Sequence, residues 1–276
     1  MKKDLSFYKK ASQNLIAVHH LKDLLARLQK NEPEILFFRG MSLIGNVYPF
    51  LGDREMLDVD ILVRERDFAR CKEVLKKMGL QEAGPGTFHK TGFILDLHTS
   101  FLNLSRISLE RSCLGVSIED VFKRSITEQL DGMEIKIPCP LHLFISTAIH
   151  LQSHSFDSEK GWEDLKRIKR YYGLSDKAIL SDAQKMGAEQ TLAYLTFLRP
   201  ELFPSWRGRF SLGERLVLRR IRAGNFNRNF GDLLFLSQSK SKGKALKEIF
   251  FPRGISLRII CDRIWKCLKF MKDTIV

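Results

Sequence analysis

The stretch Leu57-Asp58-Val59-Asp60-Ile61-Leu62-Val63 decides how this chain is read. Five apolar residues make it a buried β-strand, yet two carboxylates sit in its first half. Side chains in a strand alternate between faces, so Asp58 and Asp60 share one face, about 7 Å apart along the backbone. Two bare carboxylates this close repel unless a cation or a base neutralises them. A hard divalent ion with oxygen ligands, Mg²⁺ or Mn²⁺, does so and keeps positions for water or phosphate oxygens. Taken alone, the D-x-D pattern equally describes an exposed strand face.

A second strand carries the same signature. In Phe93-Ile94-Leu95-Asp96-Leu97-His98, alternation places Asp96 and His98 on one face and Leu95 and Leu97 on the other. If the two strands are neighbours, three aspartates converge, enough to hold two metals about 3.5–4 Å apart for in-line phosphoryl chemistry. Upstream, Ile35-Leu36-Phe37-Phe38, bounded by Pro33 and Gly40, predicts another buried strand, and Met41–Tyr48 a helix opening at a glycine turn. Glu65–Met78 predicts an amphipathic helix with Phe68, Cys71, Val74, Leu75 and Met78 on one stripe and Gly79 as its stop. The opening segment predicts a helix with Leu15, Val18, Leu21, Leu25 and Leu28 on one stripe. Gly84-Pro85-Gly86 leads into a hairpin, and Met133–Ile137 reads as an isolated strand.

This front part is α/β (α+β). After Pro138-Cys139-Pro140 the pattern turns helical: Leu141–His154, Trp162–Tyr172, Asp176–Leu198, Leu212–Ala223 and Ile255–Lys272. The expected division is residues 1–138 and 139–276, with Ser237–Gly243 as a basic loop. At 276 residues, 44% hydrophobic and 28% charged, the chain is outside the collagen-like, low-complexity and wholly disordered classes. Five scattered cysteines form no C-x-x-C pair, and no apolar run approaches the roughly 20 residues of a membrane span. Met1-Lys2-Lys3 lacks the apolar core of a signal peptide, so a cytoplasmic location is expected. Charge is uneven. Trp206–Val276 holds 17 of the 46 basic residues but 5 of the 32 acidic ones, a net +12 of the chain's +14. Such an asymmetry points to a polyanionic partner near the C-terminus.

The assembly Phe38-Arg39-Gly40…Tyr48-Pro49…Arg54, then Asp58-Val59-Asp60-Ile61-Leu62-Val63 and Leu95-Asp96-Leu97-His98, resembles the DNA polymerase beta-type nucleotidyltransferase superfamily. It is most similar to a branch of uncharacterised bacterial nucleotidyltransferases, some of which accompany peptide natural-product pathways. The resemblance implies a small mixed sheet with an α-helical, acceptor-selecting C-terminal domain. It implies that Asp58 and Asp60 hold the metals that carry a nucleoside triphosphate, ATP among them. Asp96 would complete the metal site and help to activate the acceptor hydroxyl. Gly40 and Ser42 fall where the superfamily's glycine-serine turn holds the triphosphate, although Met41 separates them here. Arg39 and Arg54 are candidate phosphate partners.

His150 and His154, at i, i+4 on one helix face, read as cleft-lining histidines with Trp162 and Asp164 as neighbours, or as acceptor contacts; His98 reads as a support for the metal ligands. Leu151 stands where a zinc-protease motif has its glutamate. The expected reaction moves a nucleoside monophosphate onto a hydroxyl or phosphate of a small molecule or peptide. RNA, as in a toxin-like tRNA-modifying enzyme, is the alternative acceptor, and a silent module that binds nucleic acid or membrane is the rival class. The last helix, with Leu257, Ile260, Cys261, Ile264, Leu268 and Met271 opposite Arg258, Asp262, Lys266 and Lys269, would dock on the body or, less favoured, on an anionic membrane.

Overall fold

A computed structural model describes residues 4–29, 33–102, 114–203, 208–224, 228–238 and Trp265. The expected helix Ile255–Lys272, apart from Trp265, lies outside the described residues, as does the basic loop beyond Gln238.

Two compact units emerge: residues 1–101 with 116–143, and residues 102–115 with 144–276. The first contains α1 (Leu5–Gln29), β1 (Ile35–Phe38), a 3₁₀ turn (Met41–Leu43), β2 (Val59–Val63), α2 (Glu65–Lys77), β3 (Gln81–Gly84), β4 (Thr87–Lys90) and β5 (Phe93–His98). It continues with α3 (Ile118–Lys123) and the hairpin β6 (Ile126–Leu130) and β7 (Met133–Ile137). The main sheet runs β1-β2-β5-β4-β3. Among the described strands of this sheet, only β2 and β5 pair in parallel, in the register Val59↔Leu95, Asp60↔Asp96, Ile61↔Leu97. Parallel neighbours need a crossover, and here α2 with the β3–β4 hairpin supplies it.

The apolar runs explain the centre of the sheet. β1 and β2 are buried at every position, and Leu36, Phe37 and Phe38 are fully enclosed. Each such side chain contributes about 1.5–3 kcal/mol by leaving water. β5 instead alternates, with Phe93, Leu95 and Leu97 buried while Asp96 and His98 are partly exposed. Gly86 fixes the end of the hairpin. Its carbonyl accepts from the Leu97 amide at 2.8 Å, and a Cβ there would stand 2.7 Å from the Leu97 carbonyl oxygen.

Several sequence expectations are corrected. Met41–Tyr48 is a 3₁₀ turn followed by a tight loop, in which the Gly45 amide bonds the Tyr48 carbonyl and the Tyr48 amide bonds the Leu43 carbonyl. Met133–Ile137 is not isolated but pairs with β6 along its whole length. On α1 the buried stripe is Asn14, Ala17, Val18, Leu21, Leu24 and Leu28, whereas Leu15 is exposed.

The second unit carries most of α4 (Pro140–Ser153), with α5 (Glu159–Tyr171), α6 (Asp176–Lys185), α7 (Glu189–Leu198), α8 (Leu212–Arg222) and α9 (Arg228–Gln238). The single helix expected over Asp176–Leu198 divides at Met186-Gly187-Ala188, where the Ala188 amide turns back to the Ala183 carbonyl. Ser158, Ser175 and Ser211 each cap a helix by accepting a backbone N–H, and Ser211 with Glu214 forms a full capping box.

Candidate active site

Strand pairing brings the site together. Because Asp60 is the register partner of both Phe38 on β1 and Asp96 on β5, the end of β1 and two carboxylates share one row of the sheet. Asp60, Asp96 and His98 each offer a ligand atom within 4.8 Å of the others, the one such metal-competent group of three or more among the described residues. Asp60 is 3% exposed. A buried carboxylate needs compensation, and two donors meet its Oδ1: Arg39 Nη1 at 3.0 Å and His98 Nε2 at 2.8 Å. The His98 ring is set edge-on to Phe38, 5.3 Å between centroids, which fixes its direction.

Asp96 differs. Its Oδ1 is buried and makes no hydrogen bond. An orphaned buried carboxylate oxygen beside a second carboxylate is what a hard cation satisfies, so the donor set fits Mg²⁺ or Mn²⁺. Asp58 stands one residue ahead of β2, half-buried, and lines a small groove of about 60 Å³ with Gln13, Leu57, Gly92 and Ile94. It lies outside the trio.

The turn after β1 is built around the same point. Arg39 adopts a left-handed backbone (φ +54°), an uncommon and strained choice for a residue with a side chain. The Ser42 hydroxyl holds it by donating to the Arg39 carbonyl at 2.8 Å. Ser42 is fully buried and serves the turn in this way. Gly40 opens the 3₁₀ turn and leaves space for Arg54: a Cβ there would lie 2.6 Å from Arg54 Nη1. Arg54 is 8% exposed, and its carbonyl accepts from Asn14 Nδ2 at 2.8 Å. Asn14 also donates to the Leu51 carbonyl at 2.6 Å, tying α1 to the loop before β2. Sequence reasoning missed Asn14. The signal was there, since position 14 continues the stripe of Val18, Leu21 and Leu28.

His150 and His154 lie in the second unit, their rings 4.6 Å apart and edge-on. Trp162 is buried there and donates from Nε1 to the Phe156 carbonyl at 3.1 Å; Asp164 is also buried.

The geometry is thus a mixed sheet that sets two aspartates in register beside a glycine turn. The model of the family described as uncharacterised nucleotidyltransferase matches residues 4–204, more than half of the chain, and the protein belongs to that family. It is therefore a nucleotidyltransferase, in keeping with the polymerase beta-type resemblance. A search of curated proteins finds no match. Among solved structures, the antibiotic-resistance factor ANT(2'')-Ia is similar at 9% identity and a TM-score of 0.43, over 62% of this chain and 89% of that one. An antigenic nucleotidyltransferase-like protein from Paracoccidioides brasiliensis is similar at 15% identity and a TM-score of 0.43, over 69% and 89%. At these scores neither likeness bears on substrate or mechanism.

Proposed function

We propose that the protein transfers a nucleoside monophosphate from a nucleoside triphosphate, ATP among the candidates, to a hydroxyl or phosphate of a small molecule or peptide, releasing pyrophosphate. The observation that carries this reading is the pairing of Asp60 with Asp96 while Asp96 Oδ1 lacks a hydrogen bond. Asp60 and Asp96, with Asp58 at the strand's entrance, are the ligands for Mg²⁺ or Mn²⁺ in this account. When bound, the ion supplies charge neutralisation and alignment for the triphosphate. His98 holds Asp60 in orientation, and Arg39 and Arg54 offer guanidinium donors to phosphate. The backbone amides of the Gly40–Ser42 turn add an anion-binding surface. Asp96 takes up the acceptor's proton as the acceptor oxygen bonds to the α-phosphorus and the bond to pyrophosphate breaks. Positioning supplies most of the acceleration.

The domain assignment belongs to the same proposal: residues 1–138 catalyse and 139–276 select the acceptor, with His150 and His154 as candidate acceptor contacts. A cytoplasmic setting is included, supported by five cysteines with no paired spacing. No helix among the described residues is long and apolar enough to cross a membrane.

One observation favours RNA as a second acceptor. On α8, Arg215, Arg219 and Arg222 are exposed along one face while Val217, Leu218 and Ile221 are buried. An arginine stripe backed by a docked apolar face suits a polyanion.

Transfer of label from each α-labelled nucleoside triphosphate into a cell extract split into small-molecule, peptide or protein, and RNA fractions tests these readings. Label in the small-molecule or peptide fraction with the intact protein, and none with Asp58→Ala/Asp60→Ala, is expected. Label in RNA alone selects the second reading, and no label in any fraction with any nucleotide favours a silent module.

A further inference from the structure

The two carboxylates of the trio are satisfied unequally, and the difference lies in Arg39. Asp60 Oδ1 already holds two donors of the chain's own, while the buried Asp96 Oδ1 holds none. Arg39 reaches Asp60 from a strained backbone that Ser42 pins in place, at the point where the β1 register ends opposite Asp60. Its guanidinium also lies 5.3 Å from the centroid of the Phe38 ring and is largely enclosed, at 18% side-chain exposure. A surface arginine would have no need of this turn. A divalent ion arriving alone meets Asp96 ready to bind, but finds Asp60 Oδ1 already held by a guanidinium.

We propose that Arg39 is a cation lock on the carboxylate pair, closed on Asp60 in the resting enzyme and opened by the triphosphate. This rests on the reading of Asp60 and Asp96 as the cation site. A triphosphate brings anionic oxygens to which the guanidinium can transfer, so the ion takes Asp60 as Arg39 takes phosphate. Every charge keeps a partner through the exchange. Metal and triphosphate therefore bind cooperatively, and the site rejects a bare divalent ion. The coupling is reciprocal, so the ion must tighten triphosphate binding by the factor by which the triphosphate tightens the ion.

Equilibrium dialysis of the full chain against Mn²⁺ alone, and against Mn²⁺ with inorganic tripolyphosphate, reads the lock without any turnover. The expected result is that Arg39→Gln binds Mn²⁺ alone about tenfold more tightly than the wild type, the size of a typical coupling, and that Arg39→Lys falls between. Tripolyphosphate is expected to raise Mn²⁺ retention by the wild type and to leave Arg39→Gln unchanged. Equal Mn²⁺ affinity in wild type and Arg39→Gln, with both lost in Asp96→Asn, overturns the lock and leaves the cation site standing. Mn²⁺ binding unaffected by Asp60→Asn and Asp96→Asn overturns the site reading and the lock with it. If melting curves show that Arg39→Gln does not fold, the wild-type dialyses decide: no gain with tripolyphosphate overturns the lock.

Discussion

Strands β1 and β2 end in two charge clusters, and the two are built to opposite specifications. At one end, Glu34 receives Arg64 at 2.7 Å and Lys136 at 2.6 Å, Arg64 also donates to Glu119 at 3.0 Å, and its guanidinium lies 4.0 Å from the Phe122 ring centroid. Acids and bases alternate there, tying β1, β2, α3 and β7 together. At the other end, Asp60 and Asp96 crowd like charges into one row of the sheet, and one buried oxygen goes unbonded. The first arrangement minimises energy in the folded chain. The second leaves Asp96 Oδ1 buried without a hydrogen bond. The contrast teaches that, within one strand pair, the cluster whose charges are not balanced by the chain itself is the one to assign to chemistry.

The largest expected effect is at the unbalanced end. Asp60→Asn should lower nucleotidyl transfer by about 10³-fold or more, since positioning and neutralisation of charge at phosphorus both depend on it. Transfer of α-label under saturating triphosphate checks this, and near-wild-type activity would break the contrast. Arg64→Ala at the balanced end should cost about 2 kcal/mol of stability, from two ion pairs and an aromatic contact, with activity per folded molecule unchanged. A denaturant melt beside a specific-activity measurement separates the two.

Smaller still, Asp96→Asn should shift stability by no more than about 1 kcal/mol, because its Oδ1 has no hydrogen bond to lose. A large loss of stability would mean that Asp96 is a structural member like Glu34. The smallest effect is in acid. Burial alone would raise the Glu34 carboxyl, but hydrogen bonds from Lys136 and Arg64 outweigh it and hold it below its ordinary 4.5. A depressed carboxyl stabilises the fold fully above that ordinary value, and the contribution fades as pH falls through the lower folded-state value. Glu34→Gln should therefore flatten the acid limb of a stability profile.

Much of the site was legible because period-two alternation and register act together. Asp96 and His98 could be placed on one strand face from spacing alone, and the apolar runs of β1 and β2 announced the centre of the sheet. Helix α2 ends at Lys77, two residues before the expected stop Gly79, because its apolar stripe and its stop agree. Arg39 was legible only as an arginine beside a glycine: its positive φ and its reach to Asp60 depend on the Phe38↔Asp60 register, which no local pattern encodes. The same holds for Arg54, buried against Gly40 from fourteen residues away. The division between α6 and α7 was missed because apolar residues continue at helical spacing across Met186-Gly187. β6 was overlooked because Ile126–Leu130 alternates apolar and polar weakly and pairs only with its neighbour β7.

The central claim is that Asp60 and Asp96 jointly hold a divalent ion. A crystal of the full chain grown with Mn²⁺ and a non-hydrolysable triphosphate tests it most directly through the anomalous signal of the metal. The account predicts a peak about 2.1 Å from a carboxylate oxygen of each aspartate, with Arg39 turned from Asp60 toward phosphate. A metal bound elsewhere, or the triphosphate bound with Arg39 still on Asp60 and no ion between the aspartates, would contradict it.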